Sequence, residues 1–231
     1  MGLALFLLGF GAGLLYLGVE HGGWAWALAW PGLAALWLSL AYFAHRPALL
    51  GKRASGTVAL WAWPLVLPYV AFAWFMWRVQ RRLVREDAWN EVAPGLLLGR
   101  RVEGREMPDV PVVVDLTAEL VEARLIRQRE GYHCLPTLDA TAPDEERLLE
   151  LVDALAHTPR LFVHCASGHG RSATLAAALL MRRGLATSVD EAESHLQARR
   201  PAVSLKRAQR ALLSRIRHRL LPSASEPPRR P

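Results

Sequence analysis

An α/β fold, with a central mostly parallel sheet flanked by helices and an all-helical apolar region ahead of it, is predicted by three observations. Polarity is divided unevenly along the 231 residues. Positions 1–77 are almost wholly apolar and hold eight of the nine tryptophans, Trp24 to Trp77, while 78–231 hold most of the charge. Within the charged part, short β-rich runs alternate with stretches of helical periodicity, the pattern of a layered α/β domain. Finally, a glycine-bearing loop stands between the apolar run Leu161–His164 and a helical pattern that begins at Ser172.

The apolar region comes first, as 1–77, in three stretches: 2–19, 24–44 and 57–77. The second and third approach the ~20 residues that cross a bilayer as a helix, and the first is slightly short. The first has no basic segment ahead of it and a second apolar stretch follows at once, so it reads as a retained helix rather than a cleaved signal. Arg46, Lys52 and Arg53 lie between the second and third stretches, and Arg78, Arg81, Arg82 and Arg85 follow the third. Three full crossings would put these basic groups on opposite sides, against the positive-inside tendency. Either the third stretch, broken by Pro64 and Pro68, enters and leaves on one side, or the short loop violates the tendency.

A basic juxtamembrane linker is expected over 78–90, then a catalytic domain over 91–221 and a disordered tail over 222–231. Strands are expected at 95–99, 111–116, Tyr132–Pro136 and Leu161–His164. Helices are expected at 118–130, capped by Thr117 with Glu119 and Glu122 in its first turn, and at 144–157, where Leu148, Leu149, Val152 and Leu155 share a face. Three more follow at 172–183, 188–199 and 204–220.

The net charge of +7 invites a nucleic-acid reading, which the distribution of the charge excludes: no aromatic–basic interleaving accompanies it. A basic collar beside an anionic membrane surface accounts for it better. The two cysteines, Cys134 and Cys165, are too few for a disulfide framework.

The chemistry sits in Leu161-Phe-Val-His-Cys-Ala-Ser-Gly-His-Gly-Arg-Ser172. A loop of this kind, between strand and helix, turns backbone N–H groups inward at the positive end of a helix dipole. It thereby cradles a tetrahedral oxyanion over Ala166, Ser167, Gly168, His169, Gly170 and Arg171. Gly168 and Gly170 supply backbone freedom, and Arg171 can grip two phosphoryl oxygens. The same field favours the thiolate of Cys165, so one geometry offers both a nucleophile and a clamp for the transition state.

His-Cys-x5-Arg-Ser is the signature of the cysteine-dependent protein tyrosine phosphatase superfamily, and about 88–221 resembles its dual-specificity branch. The flanks that carry the resemblance are Val92-Ala-Pro-Gly-Leu-Leu-Leu-Gly-Arg100, Val113-Val-Asp-Leu-Thr-Ala-Glu119, Pro136-Thr-Leu-Asp139, Arg200-Pro201 and Gln209. The resemblance implies Cys165 as nucleophile, Asp139 as general acid with Asp144 as competitor, and Ser172 as the hydroxyl that helps the thiolate depart. It implies a phosphocysteine intermediate and no metal or other cofactor. His164 is expected to order the loop by hydrogen bonding, His169 to face its mouth, and Cys134 to be a buried strand residue, with a protective disulfide to Cys165, as in some members of the family it resembles, as the lesser alternative. The expected protein is a multi-pass membrane phosphatase whose catalytic domain lies in the cytoplasm, acting on a phospholipid headgroup or a phosphoprotein. A phosphate-binding scaffold without turnover is the alternative. Since the cradle lies wholly within 91–221, residues 86–231 alone are expected to hydrolyse a small soluble ester as well as the full chain does.

Overall fold

The computed structural model describes residues 2–221; the tail expected to be disordered lies outside them. Three helices open the chain: α1 (Gly2–His21), α2 (Ala29–Phe43), preceded by a 3₁₀ segment over Gly23–Leu28, and α3 (Trp63–Leu83). Each of the three segments is long and apolar enough to cross a membrane. Helices α1 and α2 form a hairpin that approaches closely where glycine meets glycine. A Cβ on Gly11 would strike the Gly32 carbonyl oxygen, and a Cβ on Gly32 would crowd that of Gly11.

The two prolines do not break the third stretch. Pro64 sits in the first turn of α3, where its missing N–H removes no helical bond. Pro68 lies inside α3 and leaves the Pro64 carbonyl without its usual donor. The Trp30 indole, from α2, donates to that oxygen at 2.6 Å, so a neighbouring helix satisfies the freed group. Nor does a linker begin at residue 78: α3 continues to Leu83, strand β1 starts at Trp89, and only 84–88 connect them.

Five strands follow, β1 (Trp89–Ala93), β2 (Leu96–Arg100), β3 (Val112–Thr117), β4 (Tyr132–Thr137) and β5 (Leu161–Cys165), in sheet order β1-β2-β5-β3-β4. All neighbours run parallel except the β1–β2 hairpin. The C-terminal ends of β2, β5, β3 and β4 therefore line up at one end of the sheet, where α/β folds build their sites. Strand alternation divides the core. Leu96, Leu98, Val114, Leu161 and Val163 face helices α5 (Glu145–Leu155), α6 (Arg171–Arg182), α7 (Val189–Gln197) and α8 (Arg207–Leu220). Leu97, Val113 and Phe162 face the opposite way, under Ile126 and Trp89.

The helix expected over 118–130 is a single turn, α4 (Arg124–Arg127). Thr117 does not cap it, because its hydroxyl donates to Asp115 at 2.7 Å. Glu119 and Glu122 do not line a first turn: both are buried, each held by an arginine or histidine of the domain. Charge pairing across the fold has outweighed local helix preference.

Candidate active site

Cys165 ends β5 at the floor of a cleft that Asp139, Ser167, His169, Gly170 and Arg171 also line, and it is only 3% exposed. The Gly168 N–H points at its sulfur from 3.3 Å and the Ser172 hydroxyl lies 3.2 Å away. Helix α6 starts at Arg171, so its positive end is directed into the loop. Gly168 has φ +80, and a Cβ there would collide with the Gly99 carbonyl group, so this position admits only glycine. Gly170 differs: its φ is −120, and the side chain of Gln209 closes over it.

The loop is shaped from behind by Arg200, whose side chain is fully buried. It donates to the carbonyls of Gly168 (3.1 Å) and Ser167 (3.2 Å) on one side. On the other it donates to the Asp87 carbonyl and the Asn90 side chain. Holding those carbonyls outward is what leaves the loop's N–H groups turned to the cleft. Ser204 adds an N–H bond to the His169 carbonyl.

Arg171 is buried and gripped bidentately by Glu119, at 2.7 and 2.8 Å, with a third bond to the Thr137 carbonyl. Burial alone would raise the Glu119 carboxyl, but the Arg171 guanidinium outweighs it and holds that carboxyl below its usual range. Conversely burial works against the Arg171 charge, and Glu119 restores it, keeping the guanidinium firmly protonated. Among the described residues the buried Arg171 Nε has no acceptor. Asp139 lies in the loop after β4, two-thirds exposed, with its carboxylate 3.2 Å from Arg171 Nη2. Next to it Ala140 has φ +58, a conformation that costs an L-residue about 1–2 kcal/mol. Asp144 is elsewhere: it caps α5 by accepting from the Arg147 N–H.

Three expectations about single residues change. The His164 Nε2 lies 3.2 Å from the Glu122 carboxylate rather than against the loop, and the ring stacks on Phe162. His169 is at the mouth as expected, but its Nε2 is tied to Glu86 at 2.7 Å. Cys134 is free and half-buried on β4, with β3 between it and β5. Two strand spacings put it about 10 Å from Cys165, beyond the reach of a disulfide without backbone movement. Burial, reinforced by the Asp115 charge, pushes the Cys134 thiol up to about 12.

The apolar region also contributes, which the sequence did not signal. Lys52, from the α2–α3 connection, is buried and donates to Asp115 (2.6 Å), the Thr117 hydroxyl and carbonyl (2.7 Å each) and the Leu120 carbonyl (2.6 Å). Burial would raise the Asp115 carboxyl; the Lys52 ammonium reverses this and holds it well below the carboxylate range. Asp115, Glu122 and His164 lie close enough together to share an ion, a cluster the scattered histidines of the sequence did not suggest. The Lys52 ammonium supplies the positive charge there. From α3, Gln80 accepts from the Ser167 hydroxyl at 3.4 Å, and Trp77 stacks under Arg101. The cradle is therefore not self-contained within 86–231.

A family profile described as "Swiss Army Knife protein, DSP-PTPase phosphatase domain" matches residues 106–219. Among solved structures, Tk-PTP in the active form is 26% identical at a TM-score of 0.50, covering 57% of this chain and 97% of that one. PTPMT1 in complex with PI(5)P is 21% identical at a TM-score of 0.50, covering 58% and 97%. A 64-residue stretch is 31% identical to "Putative tyrosine phosphatase 197R" of Invertebrate iridescent virus 6, spanning 24% of this chain and 24% of that protein's length. The strand–loop–helix site, the five-stranded sheet and these likenesses agree: residues 106–219 form a dual-specificity phosphatase-like domain, carried behind N-terminal helices apolar enough to be a membrane anchor.

Proposed function

We propose that this chain is a membrane-anchored, cysteine-dependent phosphomonoester phosphatase that acts on the phosphorylated headgroup of a membrane lipid. The observation that carries the reaction is the sulfur of Cys165 at the cleft floor, with a loop N–H, the Ser172 hydroxyl and Arg171 converging on it. In the first step the Cys165 thiolate forms an S–P bond while the P–O ester bond breaks, and Asp139 gives its proton to the departing oxygen. Water then attacks phosphorus, Asp139 takes the water's proton, and the S–P bond breaks to release inorganic phosphate and the thiolate. Ser172 stabilises that thiolate by donating to it. The loop N–H groups and Arg171 hold the equatorial oxygens through both transition states. To act as the acid, Asp139 must swing from Arg171 toward the ester oxygen, a move its exposure allows.

The lipid substrate is supported by what stands beside the cleft. A second hollow, lined by Trp77, Gln80 and Val84 with Arg100, shares Ser167 and His169 with the catalytic one. Trp77 and Val84, flanked by the charged Arg81, Arg100 and Glu86, thus adjoin the phosphate cradle, a mixed apolar and cationic border that suits a headgroup whose chains remain in a bilayer. PTPMT1, whose fold this domain shares, has been crystallised with PI(5)P.

The test is the full-length chain in anionic liposomes against a panel of phospholipids and phosphopeptides, beside Cys165→Ser. The expected outcome is phosphate release from a lipid, lost on Cys165→Ser while oxyanion binding persists. Appreciable hydrolysis by the serine variant would reject cysteine catalysis, and release from phosphopeptides alone would reject the lipid assignment.

A further inference from the structure

The two carboxylates that touch Arg171, those of Glu119 and Asp139, each follow a residue that is buried outside the domain's own core. Those residues, Ala118 and Leu138, share one apolar cluster with Leu38 and Ala41 of α2 and Val66 and Val70 of α3. Two tyrosines pack on the same cluster, Tyr42 of α2 and Tyr69 of α3. A hydroxyl carried to such a place is tolerated where it meets polar groups. Here the Tyr42 hydroxyl stands against the Asp139 backbone, and that of Tyr69 lies near both Tyr42 and Glu119.

The loop that carries Asp139 is fixed at both ends. Leu138 is held in the cluster, and beyond Asp139 the Thr141 N–H and hydroxyl both donate to the Leu138 carbonyl, at 3.2 and 2.9 Å. The Thr141 carbonyl in turn accepts from Gln209 at 2.9 Å. Between these points lie only Asp139 and Ala140, the latter in the left-handed region at φ +58. Two residues so closely tethered have little room to travel as a loop. The passage of the Asp139 carboxylate from Arg171 to the ester oxygen is therefore a turn of the side chain about a fixed backbone. Neither Tyr42 nor Leu138 lines the cleft, so each reaches the reaction only through Asp139.

Building on Asp139 as the acid of the reaction proposed above, we infer that α2 and α3 form the seat of that acid and that Tyr42 is its positioning residue, setting the Asp139 backbone from the side away from substrate. The helices thereby serve protonation of the leaving group, a task separate from holding the chain at a membrane. Cys165 and its loop are held by other elements, β5, α6 and Arg200, so a change at Tyr42 falls on the proton transfer rather than on the nucleophile.

The experiment uses the full-length chain in detergent with soluble aryl and alkyl phosphates of graded leaving-group ability. It compares the parent with Tyr42→Phe, Leu138→Ala, Asp139→Asn and the double variant of Tyr42→Phe with Asp139→Asn. A displaced acid is felt most where the departing oxygen needs its proton. Tyr42→Phe is expected to lower kcat on alkyl phosphates about tenfold, inside the roughly hundredfold that a small misplacement of a catalytic group can cost. The best leaving groups, and inhibition by inorganic phosphate, should be unchanged. In the Asp139→Asn background it should have no further effect, because the group it positions no longer gives a proton. Leu138→Ala should show the same split; as it also opens a cavity, Tyr42→Phe, which keeps the ring, carries the decision. Tyr16→Phe, exposed on α1, is the control that alters neither class of ester. No change in Tyr42→Phe, equal slowing of all esters, or its full loss added to that of Asp139→Asn overturns the inference while leaving the acid assigned. A parent-like leaving-group dependence in Asp139→Asn overturns that assignment, and the inference with it.

Discussion

At the scale of single residues, the loop was largely readable and its supports were not. Cys165, Arg171 and Ser172 announce themselves by spacing, because a strand–loop–helix junction fixes where their side chains go. Glu119 and Arg200 do not, because each acts through a partner distant in sequence: Glu119 grips Arg171 and Arg200 grips the loop carbonyls. Asp139 and Asp144 were competitors by sequence, and geometry separates them into a cleft residue and a helix cap. Asp139→Asn is expected to slow alkyl phosphates far more than esters with good leaving groups, which need little protonation. Asp144→Ala is expected to leave that leaving-group dependence unchanged while costing about 1 kcal/mol of stability through the lost cap. Steady-state kinetics on an ester series, with melting curves, distinguish the two. Were Asp144→Ala alone to show the leaving-group pattern, the acid would be misassigned.

At the scale of elements, the strands of the parallel core and helices α5 to α8 follow from periodicity, while the 118–123 segment does not. There, acidic residues suited to a first helical turn are drawn instead to buried cations, a tertiary pairing that no local rule contains. The connection between α2 and α3 misleads in the same way, since Lys52 looked like a topology signal and is a buried ligand of Asp115. Lys52→Met removes one partner of a fully buried pair, an event that costs about 3–5 kcal/mol. The pH dependence has a definite sign. The folded carboxyl of Asp115 is depressed, so in the native chain the pair contributes above the ordinary carboxylate pKa and is lost as pH falls toward the folded value. In Lys52→Met the unpaired carboxyl is instead easier to bury when protonated, so the deficit should shrink on acidification. Denaturation of both full-length forms at pH 7 and pH 5 measures this; a deficit that does not narrow at pH 5 would remove Asp115 as its source.

At the scale of the whole molecule, composition divides the chain into an apolar and a charged part, but the boundary in composition is not a boundary in packing. The domain's buried charges draw partners from both sides of it, and α3 is apolar on two faces for two reasons, one toward protein and one outward. Residues 86–231 alone would lose Lys52, Trp77 and Gln80, and with them the cation that pairs Asp115 and a support of Ser167. Their kcat/KM on a small soluble ester is therefore expected to fall at least about tenfold below the full-length chain in detergent, a loss of about 1.4 kcal/mol. Equal rates would show that the catalytic domain is indifferent to the helices that strap it.

The reach of Arg200 has a consequence for how the protein is made. It joins the loop at Ser167 and Gly168 to Asp87, which lies 113 positions before it. Contacts of such long range close late in folding, because the intervening chain must first be ordered. The apolar helices and all five strands emerge during synthesis before residue 200 exists. Until it does, the carbonyls behind the loop have no donor, and the N–H groups are not held toward the sulfur. The loop beside Cys165 can thus take its final shape only once synthesis has passed α7.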